Sequence, residues 1–430
     1  MASIQSAFGL IAFVLLAWAL GRGKGHRGGI EGARAFARFA IAALALQVGL
    51  AALFVHAPGS AAAFEVANRL VLALQEATRA GTALVFGYLG GGEAPFEANG
   101  PGSSFILAFQ ALPLVLVISA IGAVLFHWGV MQRIVGGFAW ALRKTLGIGG
   151  PLGVGSAANI FIGMVEAPVL VRPYVATMPR SDLFALMVCG MATIAGTVLA
   201  LYAQFLQGIV PGAAGHLIAA SVISVPAALL VARLMVPAEG GGGPRDLSVQ
   251  AEEEGGGEPS PTSTMQALTE GTLAGLQLLL SIVAMLIVLV AIVALINMGL
   301  GLLPDFGGEA LSLERMLGWA MSPLVWLAGV PWDEAAAAGR LMGIKTALNE
   351  LLGFLAFAQL PADALGPRSE VLMTYALCGF ANPGSVGIMI GGLSAMAPAR
   401  RREIASLAMP ALAGGTLATL MTAAAVGIVL

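Results

Sequence analysis

A chain of 430 residues that is 58% apolar and 10% charged lies far below the roughly 25% charge of soluble domains and cannot solvate the surface of a globule. Its net charge of −2 speaks against a nucleic-acid partner. Cys189 and Cys378 sit deep in apolar runs, and the four histidines form no metal-binding motif, so neither a disulfide framework nor a catalytic metal cluster is expected. The composition specifies an all-α polytopic membrane protein.

Uncharged runs long enough to cross a bilayer fall at Ile4–Leu20, Phe39–Ala57, Ser104–Phe126, Leu183–Val210, His216–Val236, Thr272–Leu303, Val371–Met396 and Glu403–Leu430. The first has the length of a signal peptide, but charge follows rather than precedes it, and it reads as a span. Two further apolar stretches, about 130–180 and 317–358, are broken by glycine, proline and charge and read as re-entrant hairpins. Between the second and third spans, Phe64, Ala67, Val71 and Leu74 share a stripe opposite Glu65, Arg69, Glu76 and Arg79, the pattern of an amphipathic interfacial helix. Fifteen of the 21 basic residues, from Arg22 through Arg133, Arg180 and Arg233 to Arg400–Arg402, fall on one side if these spans are threaded alternately. By the positive-inside rule that side is the cytoplasm, with both termini outside.

The Gly- and Glu-rich stretch Pro237–Thr262 reads as a solvated linker between halves. The expected units are 1–103, N-terminal spans and interfacial helix; 104–236, a first repeat; 237–271, linker and interfacial segment; and 272–430, a second repeat. Cys189-Gly-Met-Ala-Thr193 answers Cys378-Gly-Phe-Ala-Asn382, and each follows a broken hairpin containing an acid, Glu166 or Glu334. The paired spans run in opposite senses, so the repeats are inverted, the plan of many secondary transporters.

Irregular backbone is tolerated inside a bilayer only where protein or a wet cavity receives it. Asn159-Ile-Phe-Ile-Gly-Met-Val-Glu166-Ala-Pro168 combines loose backbone with a carboxylate at a new helical start, either a functional acid or a helix cap. Gly329-Val-Pro-Trp-Asp-Glu334-Ala reads as the tip of the second hairpin, with Arg340 and Lys345 as ion-pair partners for its acids. Asn382-Pro383-Gly384-Ser385 cannot continue a helix, because proline lacks the donor and glycine costs about 1 kcal/mol against alanine. Asn159, Thr193 and the backbone of Ile162 and Ile194 supply the oxygen donors that suit a hard monovalent cation.

These segments resemble the concentrative nucleoside transporters: Asn159–Pro168, Val330–Ala335 and Cys378–Ser385 occur in the family's order and spacing, and the similarity runs from about Phe105 to the C-terminus. The resemblance implies a homotrimer with a fixed scaffold and a mobile domain that carries one nucleoside and a cation by an elevator motion. It implies that Glu334, Asn382 and Ser385 hold ribose hydroxyls, that Phe380 and Val198 line the pocket, and that Gly163, Met164, Val165 and Glu166 read the base. Asn159, Ile162, Thr193 and Ile194 stand where the family's sodium site lies. No organic cofactor and no enzymatic activity are implied. The family's Gly-Gln-Thr-Glu-Ala-Pro is here Gly163-Met164-Val165-Glu166-Ala167-Pro168. Losing an amide and a hydroxyl should weaken pyrimidine recognition, since each unpaired buried partner costs about 1–3 kcal/mol. The expected preference is broad or purine-leaning. Sodium is the expected coupling ion, because the donors do not titrate, with protons on Glu166 or Glu334 as the alternative.

Overall fold

The computed structural model describes residues 2–21, 30–93, 95–96, 105–164, 166–238, 261–306, 308 and 310–430. Val165, Arg22, Arg245 and the acidic part of the linker lie outside the described residues.

Three helices come first: α1 (Ala2–Gly21), α2 (Ile30–His56) and α3 (Ser60–Phe86). A single turn, α4 (Leu107–Gln110), leads into α5 (Leu114–His127) and an amphipathic helix α6 (Val130–Leu146). The first hairpin pairs α7 (Gly150–Ala158) with the short turns α8 (Glu166–Val169) and α9 (Arg172–Val175). A broken span, α10 (Arg180–Ala192) and α11 (Gly196–Phe205), precedes the straight α12 (Ala213–Met235). The series then recurs as α13 (Thr264–Leu300), α14 (Leu313–Ala328), the hairpin α15 (Ala335–Ala347) and α16 (Glu350–Ala358), the broken α17 (Pro367–Leu377) and α18 (Pro383–Met396), and α19 (Arg401–Val429). Among the described residues, seven stretches are long and apolar enough to cross a membrane; the α17–α18 pair supplies the remaining expected span. Counting α5, α10–α11 and α12 as crossings and the hairpin as none, α13 starts from the side opposite to α5.

Burial separates two kinds of helix. In the most apolar 18 residues of α12, 89% are buried, against 6% in those of α13. α12 therefore forms the core with α10 and α19, while α13 presents apolar side chains outward and packs chiefly on α5. That contact has a sequence cause. Gly271 and Gly275 form a GxxxG face on α13, and a Cβ built on Gly271 would lie 2.6 Å from the Ala123 Cβ and 2.8 Å from the Ser119 carbonyl oxygen. Small residues let the backbones meet, which is how helices associate in lipid. The same device joins α14 to α15, where Gly339 and Gly343 face Gly318 and Ser322.

The apolar stripe on α3 packs on α12. Phe64 sits over Gly215 of α12 and edge-on to His216 at 4.9 Å, while Glu65 and Arg69 pair on the exposed face. Three of the basic residues assigned to one side, Arg180, Arg233 and Arg400, come together through shared carboxylates and carbonyls. Arg233 pairs with Asp182, Arg180 with Glu403, and Arg400 donates to the Val175 and Met178 carbonyls.

One expectation about layout is corrected. Gly329–Ala335 is the turn between α14 and α15, and the tip of the second hairpin is Leu348–Asn349. Glycine and proline at 329–331 are strong breakers, but here they join an amphipathic helix to a hairpin arm. At the true tip no proline is needed, because Asn349 caps α16 by accepting the Leu352 N–H at 2.9 Å.

Candidate functional site

Each broken span stops for a local reason. Thr193, extended at the end of α10, donates its hydroxyl back to the Cys189 carbonyl at 2.9 Å. The Gly196 N–H that opens α11 donates to the Phe161 carbonyl, fastening the tip of hairpin one to this break. In the second repeat Asn382 caps α18, accepting the Ser385 N–H at 2.8 Å, with Pro383 at the first helical position, where a missing N–H costs nothing. The two breaks meet: the Phe380 N–H donates to the Thr193 carbonyl at 3.2 Å.

The centre of the arrangement is Glu350, at the start of α16 and 5% exposed. Tyr202 of α11 donates its hydroxyl to Glu350 Oε1 at 2.7 Å, and Asn382 Nδ2 donates to Oε2 at 2.8 Å. Tyr202 also stacks on Phe354 of α16, ring centres 4.8 Å apart. Val198 lies one turn before Tyr202 on α11 and is buried. Ser385 is buried beside the cap, and Phe380 is half-buried. A carboxylate offers about four lone-pair positions, and the Tyr202 and Asn382 side chains take two of them.

Glu334 does not join this group. It caps the opposite end of α15, where it accepts the Gly366 N–H at 3.0 Å. The 13 residues of α15 put about 20 Å of helix between it and the hairpin tip. Glu334 stands beside the strongest break signal in the sequence, whereas Asn349-Glu350 is a cap followed by an acid within an apolar run. Tyr202 left no signal beyond being a hydroxyl in a membrane span. Lys345, expected to pair with a hairpin acid, is instead fully buried with its ammonium on the Ala376 carbonyl and the Thr419 hydroxyl, while Arg340 is exposed.

Hairpin one presents a different surface. Glu166 opens α8 as expected, is exposed, and turns back over Gly163, where a Cβ would lie 2.2 Å from its Oε2. Met164 is buried against Gly190 of α10, whose missing Cβ makes the space it fills. Asn159 caps α7 and is fully buried; its Nδ2 donates to the Gly155 carbonyl, leaving Oδ1 without a hydrogen-bond partner. An orphaned buried oxygen is costly, and this one faces the last turn of α10, near the extended Thr193 and the buried Ile194. The donor set fits an alkali cation.

Paired broken helices around a buried, hydrogen-bonded carboxylate are the arrangement of a membrane transporter for a polar solute. Family models described as Na+ dependent nucleoside transporter N-terminus, nucleoside recognition, and Na+ dependent nucleoside transporter C-terminus match residues 8–89, 108–208 and 216–427. An uncharacterized transporter of Haemophilus influenzae is 37% identical, with 100% of this chain and 98% of that protein covered. The nucleoside permease NupC of Helicobacter pylori is 33% identical over 99% of this chain and 97% of its own length. Among solved structures, CNTnw in an inward-facing substrate-bound state superposes with a TM-score of 0.86 at 34% identity, covering 100% of this chain and 98% of the other. The chain belongs to the concentrative nucleoside transporter family.

Proposed function

We propose that this chain is a sodium–nucleoside symporter of the bacterial inner membrane, and that Glu350, not Glu334, is the carboxylate that receives the ribose. The observation that carries this reading is the Glu350–Asn382 hydrogen bond, which joins the tip of hairpin two to the break in the second repeat. A vicinal diol presents two O–H donors, and the Glu350 carboxylate is the acceptor for them. Asn382 and Ser385 supply the neighbouring amide and hydroxyl, and Val198 and Phe380 flank the sugar. Gly163, Met164 and Glu166 face the base, and the apolar residue types at 164 and 165 favour a broad or purine-leaning choice.

Asn159, Ile162, Thr193 and Ile194 hold the ion. One sodium moving down about 100 mV gains roughly 2.3 kcal/mol, and a tenfold gradient adds about 1.4, enough for several-hundred-fold accumulation. The scaffold comprises α1 to α5 and α13, which in a homotrimer faces its own copies; α13's nearly unburied apolar surface supports that assignment. The hairpins, broken spans, α12 and α19 travel together as the elevator. Nucleoside uptake into proteoliposomes under an imposed sodium gradient tests the coupling. Accumulation driven by sodium at fixed pH is expected, and accumulation driven by a pH gradient alone would make protons the coupling ion.

A further inference from the structure

The two repeats end their hairpin arms on different chemistry. At the end of α7, Asn159 leaves a buried Oδ1 unpartnered beside the last turn of α10. Near the end of α15, the fully buried Lys345 donates to the Ala376 carbonyl in the last turn of α17 at 2.8 Å and to Thr419 Oγ1 of α19 at 3.3 Å. α7 corresponds to α15 and α10 to α17, so both polar groups lie between a hairpin arm and the C-terminal end of an inner half-helix. Asn159 is itself the cap of α7, whereas Lys345 stands three residues before Leu348, the cap of α15. A lysine stem spans about one helical turn, roughly 5.4 Å, and closes that difference.

The last turn of a helix leaves carbonyls unpaired and carries partial negative charge, so it attracts a cation. Thr419 sends its own proton to the Thr416 carbonyl and turns a lone pair toward the ammonium. Neutral oxygens thus solvate the Lys345 ammonium as they would an alkali ion. Glu350 lies five residues on, at the start of α16.

We propose that Lys345 is a tethered cation occupying, in repeat two, the place that repeat one leaves to an exchangeable ion. Hairpin two is then held on α17 and α19 without an ion, and the chain couples through hairpin one alone. Lys345 is a positioning residue: it fixes the arm that ends in Glu350 and the half-helix that leads to Asn382. The inference rests on reading Asn159 as an ion ligand.

Nucleoside affinity and thermal midpoint of the purified full chain, measured in sodium or choline chloride and with or without methylammonium chloride, test it. Lys345→Ala and Lys345→Met should each weaken nucleoside binding by about tenfold or more, the loss expected for charge-assisted bonds. Methylammonium should restore Lys345→Ala, which has room for it, and not Lys345→Met, whose thioether fills the space. Wild-type affinity and stability in Lys345→Met, or no rescue of a weakened Lys345→Ala, overturns the proposal. If neither variant folds, Thr419→Val decides: it keeps the ammonium but removes one acceptor, and unchanged affinity would sink the assignment. Sodium stabilisation of the wild type, and its loss in Asn159→Ala, test the ion reading separately. Methylammonium rescue without a sodium response in the wild type upholds the lysine and removes the ion from Asn159; a sodium response without rescue does the reverse.

Discussion

At the scale of single residues, charge position decides more than charge identity. Glu334 and Glu350 are both acids on hairpin two, yet one caps an outer helix end and the other is buried between Tyr202 and Asn382. Hydrogen bonds to a charged group contribute about 1.5–3 kcal/mol. Glu350→Gln should therefore weaken nucleoside binding about 10- to 100-fold by calorimetry, whereas Glu334→Gln should leave it within about twofold. Equal losses in the two variants would remove the assignment of Glu350. Met164 is the other informative position, since it fills the space left by Gly190. Met164→Gln restores an amide next to the proposed base site and should shift competition profiles toward pyrimidine nucleosides by roughly tenfold, about one good hydrogen bond. An unchanged profile would show that this position does not read the base.

At the scale of elements, glycine spacing sets which helices are rigidly joined. Gly271 and Gly275 bring α13 onto Ser119 and Ala123 of α5, fixing the two helices assigned to the scaffold. A leucine at Gly271 would have to occupy space already held by Ala123 and the Ser119 backbone, and overpacking of this kind costs about 1–3 kcal/mol. Gly271→Leu should lower the thermal midpoint in detergent, while Gly122→Leu on α5, where a Cβ meets nothing, should not. The helix breaks were legible from Pro383-Gly384 and from Gly163-Pro168, because these residues cannot continue a helix. The tip of hairpin two was not, because its break is made by an asparagine cap, and asparagine acts as a cap only once its side chain is seen on the Leu352 N–H.

At the scale of the whole molecule, the contacts that span the proposed scaffold and mobile parts are the ones an elevator must break. Gln207, at the end of the first broken span, donates to Gln75 of α3 at 2.8 Å, and Phe64 of α3 sits over Gly215 of α12. Both native cysteines are buried, so Gln75→Cys with Gln207→Cys gives an accessible pair. Cross-linking that pair with a short reducible bis-thiol reagent should abolish uptake while leaving nucleoside binding intact, and reduction should restore uptake. Undiminished uptake by the cross-linked protein would rule out sliding of α12 past α3.

What the sequence determined by itself was everything that hydropathy and backbone chemistry dictate over short range: the membrane spans, the duplicated order of elements, the broken helices and the residues around Asn159, Thr193 and Asn382. Lipid leaves little choice there, because each backbone N–H and C=O must be satisfied locally or in a protected cavity. Only the tertiary structure decided which acid reaches Asn382, why Lys345 is buried without a direct carboxylate partner, and that Tyr202 of one repeat orients Glu350 of the other. Those pairings join residues 31 to 148 positions apart. Their energies depend on which side chains the packed helices exclude from solvent together, which local spacing does not encode.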